Sequence, residues 1–170
     1  PSWIEKHRSL AIQICQQGHE IQGLGEQAVC VEQMTTKACR KELRKIRETI
    51  GTVTEEPGVF FRIPGGEYNN EVLRTIYACG SYPVAWSVDS MDWKGYEAGA
   101  LVRQLLQSCT IRDGEILRFH GEGENTGEMV KLLHPRLTEE GYEAVTVSQM
   151  VYKDRYRMTA DGRQIPEKSK

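Results

Sequence analysis

Apolar positions along the chain switch repeatedly between helical and strand spacing. Ile4, Leu10, Ala11, Ile14 and Cys15 share one helical face that ends at Gly18, and Ser2 with Glu5 has the spacing of a capping box. HEIQG (19–23) reads as a short strand. Helical spacing returns over 36–50, where Cys39, Leu43, Ile46 and Ile50 line one side before Gly51. VFFRI (59–63) is a compact strand closed by the turn signal Pro64-Gly65-Gly66. A helix capped near Asn69 or Asn70 then places Val72, Leu73, Ile76 and Tyr77 inward as far as Gly80.

The second half continues the alternation. YPVAWSVD (82–89) is a strand whose pairing Pro83 restricts at its start. Leu101, Val102, Leu105, Leu106 and Cys109 mark a helix over 96–109, and EILRF (115–119) a strand. A helix capped between Asn125 and Glu128 runs toward Gly141, with Pro135 expected to kink or split it. EAVTVS (143–148) reads as the last strand, and the polar stretch from Lys153 onward as irregular. Strands alternating with helices predict an α/β fold on a parallel sheet, open or closed into a barrel, whose chemistry sits at the carboxyl ends of strands. Arg62 and Pro64 follow one strand, Asp89 and Asp92 the next, and His120 a third, so three strand ends carry the polar residues of interest.

Composition narrows the partners. At 170 residues and 39% hydrophobic content the chain suits one domain with a real core, taken as residues 1–152 followed by a polar tail, 153–170. Lys and Arg (22) nearly balance Asp and Glu (24), and the net charge of -2 provides no field to gather nucleic acid or anionic lipid. The cations of 37–47 are read as the solvated face of their helix, with Glu42 and Glu48 interleaved, so no nucleic-acid partner is expected. No run reaches the roughly 20 apolar residues of a membrane span. The 5 cysteines form no C-x-x-C pair, and most are expected as buried thiols rather than members of a disulfide framework or zinc knot.

An imidazole at a strand end serves as a metal ligand, a proton-transfer group or a satisfied core histidine. The company of His120 favours proton transfer: Asp89 or Asp92 could orient the ring, Arg62 could hold a further carboxylate, and Trp93 offers a flat wall against which a sugar ring packs.

FRIPGGEYN (61–69), WSVDSMDWKG (86–95), GEILRFHGEGENT (114–126) and GYEAVTVSQM (141–150), in that order, resemble the second half of a polysaccharide deacetylase of the NodB homology type, carbohydrate esterase family four. WIEKHRSLAIQICQQGHEI (3–21) resembles that family's first helix and the strand leading to its histidine motif. The resemblance implies a distorted (β/α) barrel and removal of acetyl groups from N-acetylated sugars of peptidoglycan, chitin or related polymers. It also implies an aspartate motif T-F-D-D-G supplying a base and a metal ligand, and H-S/T-x-x-H supplying two more ligands to a divalent metal, typically zinc. Further motifs are R-x-P-Y, an aspartate beside a tryptophan, and a final histidine acting as acid. Carried over, Arg62, Pro64 and Gly65 stand for the third motif, Asp92 and Trp93 with Asp89 just before them for the fourth, and His120 for the acid, with Asp92 the first candidate to orient it.

The departures are as specific. The histidine register falls on Gly18, His19, Glu20, Ile21, Gln22, Gly23, Leu24, Gly25, Glu26, Gln27 and Ala28, so Leu24 and Ala28 take the two ligand positions without a lone pair to offer. The chain begins after the place expected for the aspartate motif and the first barrel strand, Gly65 replaces the third motif's tyrosine, and Arg118 intrudes on an apolar strand. The expectation is a divergent deacetylase-like domain without a catalytic metal, inactive or much weakened. It would meet an N-acetylated polysaccharide or oligosaccharide as a binding or regulatory module, outside the cytoplasm or at the cell surface. The alternative is an active hydrolase of an acylated sugar or other amide, using His120, Asp92 and Arg62 with a nonstandard metal site. A purely structural domain is the third reading.

Overall fold

The computed structural model describes residues 1–25, 35–55, 58–108, 111–121 and 123–167. The chain divides into two compact units, Pro1–Trp86 and Ser87–Lys170.

In the first unit α1 (Ser2–Lys6) and α2 (Arg8–Gln16) take the place of the single expected helix, broken at His7. Pro1 occupies the N-cap and Ser2 the first helical turn, so the expected capping box does not form. β1 is confined to Gly23–Leu24, later and shorter than the strand expected at 19–23. Just before it, the Gln22 side-chain oxygen accepts from the Phe60 N–H at 3.1 Å, a ladder position satisfied by a side chain instead of a strand carbonyl. β1, β2 (Phe60–Arg62) and β3 (Tyr82–Pro83) pair in parallel, in that order, with Leu24 opposite Arg62 and Phe61 opposite Pro83.

α3 (Thr36–Ile50) lies where its apolar spacing placed it, capped by the Thr35 hydroxyl accepting from Ala38 N–H, and it buries Cys39, Leu43, Ile46 and Ile50. α4 (Asn70–Ala78) starts where the Asn69 side chain accepts from Val72 N–H and buries Val72 and Ile76 against the same core, joined by Phe61 and Ile63. Tyr77, expected inward, is 47% exposed and meets Tyr82 edge-on at 6.0 Å. Among the described cysteines Cys39 is buried, Cys15 and Cys79 are half-buried, and all three are free thiols. Burial, then Cys79 and Glu42, push the Cys39 thiol up. Cys30 and Cys109 lie outside the described residues.

In the second unit β4 (Val88–Asp89) pairs in parallel with β5 (Leu117–Arg118), Asp89 opposite Arg118. The single strand expected over 82–89 is thus two: Tyr82 and Val84 bond to Val59 and Phe61, whereas Ser87 and Val88 bond to Ile116. α5 (Ala98–Ser108) and α6 (Thr126–Glu139) bury Leu101, Val102, Leu105, Met129 and Leu133 together. α6 continues through Pro135 without splitting. That position is exposed, and the ring removes one N–H from the helix ladder.

The strand expected at 143–148 is absent: α7 (Val147–Met150) begins there, with Gln149 Oε1 accepting from Thr146 N–H at 2.9 Å. Local capping by a Thr-x-x-Gln sequence outweighs the β-branched alternation, which leaves Val145 48% exposed. The tail expected to be irregular forms a hairpin, β6 (Tyr156–Met158) antiparallel to β7 (Gln164–Pro166). It is fastened to the segment before β5 by Arg163 Nη2 donating to Glu115 Oε1 at 2.6 Å. No helix of the described residues is long and apolar enough to cross a membrane.

Candidate functional site

The chain turns sharply after β4. The Asp89 carboxylate accepts from Met91 N–H at 3.0 Å, holding Met91 in the left-handed region at φ 56°. A 3₁₀ turn, Asp92–Lys94, follows and aims the Asp92 side chain inward. A left-handed non-glycine residue disfavours the turn by about 1–2 kcal/mol. The Asp89 bond and the anchoring of Asp92 oppose that strain.

Asp92 is 1% exposed and is the centre of the unit's polar network. Its Oδ1 accepts from the Ser90 hydroxyl (3.0 Å) and from the His120 ring at Nδ1 (2.8 Å). Its Oδ2 accepts from the Thr126 hydroxyl (2.6 Å) and, more weakly, from Gly121 N–H (3.4 Å), while His120 N–H reaches both oxygens at 3.0–3.1 Å. Burial pushes this carboxyl up, but the Thr126 hydroxyl, the His120 ring and backbone N–H, and the Ser90 hydroxyl outweigh it and hold the group well below the usual carboxylate range. Gly123 permits the closure: a Cβ there would sit 2.6 Å from the Asp92 carbonyl oxygen.

A pH dependence follows from this depressed carboxyl. Because the folded-state value lies below the unfolded one of about 3.9, Asp92 contributes stability that is complete above about pH 4–5 and is withdrawn as acid titrates the native carboxylate. Unfolding midpoints measured from pH 6 downward should fall below about pH 4, and Asp92→Asn should lack that part of the slope.

The His120 side chain is 29% exposed, with its ring 6.0 Å from Trp93, edge to face. Trp93 is 56% exposed and carries Lys94 Nζ over its ring at 5.6 Å. On the far side of the imidazole, Arg118 Nη2 lies 2.6 Å from His120 Nε2, and the same nitrogen donates to Asp89 Oδ2 at 2.9 Å. Four sequence-expected residues, Asp89, Asp92, Trp93 and His120, therefore gather in this unit. Asp92, not Asp89, contacts the imidazole; Asp89 reaches it only through Arg118. Sequence reasoning flagged Arg118 as an intruder without assigning it a partner, and it missed Ser90 and Thr126. The S-x-D spacing and the threonine opening α6 were the available signals.

The other expected residues belong to the first unit. Arg62 ends β2, and Pro64 and Gly65 form the 3₁₀ turn Pro64–Gly66 directly after it. Leu24 is the cross-strand partner of Arg62, so the arginine motif and the first ligand position of the histidine register are neighbours on adjacent strands. Gly25 fits tightly beside them: a Cβ there would meet Pro64 at 2.9 Å.

The sequence pattern described as polysaccharide deacetylase matches residues 1–84. The peptidoglycan N-acetylglucosamine deacetylase PgdA of Listeria monocytogenes is 28% identical over 138 residues, 79% of this chain and 28% of that protein. Over its first 84 residues the chain is similar to the polysaccharide deacetylase family. The peptidoglycan N-acetylglucosamine deacetylase of Bacillus cereus is 25% identical over 153 residues, covering 87% of this chain and 70% of its own length. The crystal structure of a pseudoenzyme of carbohydrate esterase family four from Bacillus anthracis aligns with TM-score 0.77 at 22% identity, over 87% of this chain and 52% of that one. That likeness gives the fold, the distorted (β/α) barrel type of the family. The chain spans 28% of the Listeria relative's length.

The family generally uses a divalent metal, and the residues at its place do not fit one. Leu24, the first ligand position of the histidine register, is 42% exposed and presents hydrocarbon, which offers a metal no lone pair. The second position, Ala28, lies outside the described residues and its side chain is a methyl group in any geometry. Among the described residues no group of three or more His, Cys, Asp or Glu side chains could hold a metal ion.

Proposed function

We propose that this domain engages an N-acetylated cell-surface glycan of the peptidoglycan or chitin type and does not turn it over, serving as a binding or regulatory module. In this reading Asp92 orients His120 at the position of the family's acid, and Trp93 is the wall for a sugar ring. Arg62, Pro64 and Gly65 retain part of the third motif, and Asp89 acts through Arg118. The observation that carries it is Leu24 paired with Arg62 across adjacent strands: in this reading the arginine motif keeps its strand position and the neighbouring ligand position carries hydrocarbon.

The magnitudes support inactivity. A bound divalent ion lowers the pKa of water from about 15.7 toward 7 and polarises the acyl carbonyl. General acid catalysis alone contributes about 10²- to 10⁴-fold, against the 10⁶-fold or more typical of enzymes. The peptidoglycan in the relatives' names supports a site of action outside the cytoplasm.

Titration with N-acetylglucosamine oligomers by calorimetry, with acetate release followed with and without a chelator, tests the proposal. Saturable binding without acetate release is expected. Chelator-sensitive release would establish the active hydrolase instead, and neither binding nor release would leave a structural domain.

A further inference from the structure

We propose that Arg118 locks His120 in the neutral Nδ1–H tautomer with Nε2 already filled, so that the residue at the acid position has no proton to deliver while the contact stands. The inference rests on reading His120 as the family's acid position and adds a second defect to that site, independent of Leu24 and Ala28.

Donor and acceptor chemistry leaves one arrangement. The Asp92 carboxylate, 1% exposed and filled with donors, accepts at 2.8 Å from Nδ1, which therefore carries the hydrogen. Guanidinium has N–H donors and no acceptor, so Nε2, at 2.6 Å from Arg118 Nη2, must present its lone pair. An imidazolium would set N–H against N–H across that distance. Arg118 is fixed in turn: the second hydrogen of Nη2 meets Asp89 Oδ2, the Asp89 Oδ1 holds Met91 N–H, and the two residues face one another in the β4–β5 register. The Arg118 and Asp89 side chains are 18% and 20% exposed, which shields the pair from screening by salt. Among the described residues the charged groups facing the imidazole are thus Asp92 through Nδ1 and Arg118 through Nε2, with Asp89 behind Arg118 and Lys94 across the Trp93 ring.

Arg118 is a positioning residue by this account, and a spectroscopic signature tests it. Long-range ¹H–¹⁵N correlation of the histidine rings in the whole protein at neutral pH, assigned by loss of a signal in His120→Gln, should show His120 protonated at Nδ1 and unprotonated at Nε2. An Nε2–H tautomer or an imidazolium would overturn the proposal. The Arg118→Leu/Asp89→Asn double variant removes both partners of the ion pair, leaves no stranded carboxylate, and keeps an oxygen for Met91 N–H. In it, carbethoxylation of His120 by diethyl pyrocarbonate, which attacks an unprotonated ring nitrogen, should accelerate about tenfold or more. His7, His19 and His134 should react as before. An unchanged His120 rate would also overturn it. Glycan binding and acetate release are read separately, so failure of the functional proposal leaves the tautomer result standing, and the reverse.

Discussion

Asp92→Ala is expected to destabilise the second unit by about 3–5 kcal/mol, the penalty of breaking a buried charged network by removing one partner. The carboxylate receives hydrogen bonds from Ser90, His120, Gly121 and Thr126, and alanine would leave those donors without an acceptor in a site that is 1% exposed. For a chain of this size the loss corresponds to a fall of about 10 °C in thermal midpoint. Asp92→Asn, which keeps an oxygen but brings an amide among these donors, should fall between alanine and wild type. A midpoint for Asp92→Ala within a degree or two of wild type would mean that the network is dispensable.

Leu43→Ala is expected to cost the first unit about 2–5 kcal/mol, measured as a shift in urea midpoint at constant m. Leu43 is 2% exposed on α3 and packs with Ile46, Ile50, Phe61, Ile63 and Ile76. Truncation would leave a cavity that neighbours on helix and strand close only in part. Leu43→Met, close in volume, should cost less than about 1.5 kcal/mol.

Legibility in the sequence followed burial. α3 was readable because its apolar residues all enter one core, and α4 because Asn69 both ends the loop and caps the helix. Short strands were not, since a two-residue parallel pairing such as Gly23–Leu24 depends on partners distant in sequence and leaves no alternating pattern. Residues 143–148 misled for the same reason: a Val-Thr alternation predicts a strand only where a sheet edge is available, and Gln149 captures Thr146 first.

At the site, the pairing of Asp92 with His120 came from the family resemblance. Spacing alone left Asp89 equally eligible. The turn after β4 decides it: Asp89 meets Arg118 across the strand pair, and Asp92, after the left-handed turn at Met91, meets the ring. Arg118 looked anomalous in an apolar strand because its polar partners Asp89 and His120 become neighbours only on folding.

The central claim is that hydrocarbon at positions 24 and 28 removes the metal and with it turnover. The metal content of the purified protein, determined by mass spectrometry after exposure to zinc, cobalt or nickel and removal of loosely held ions, tests it most directly. The account predicts far less than one ion per chain, and one ion per chain retained through that treatment would contradict it.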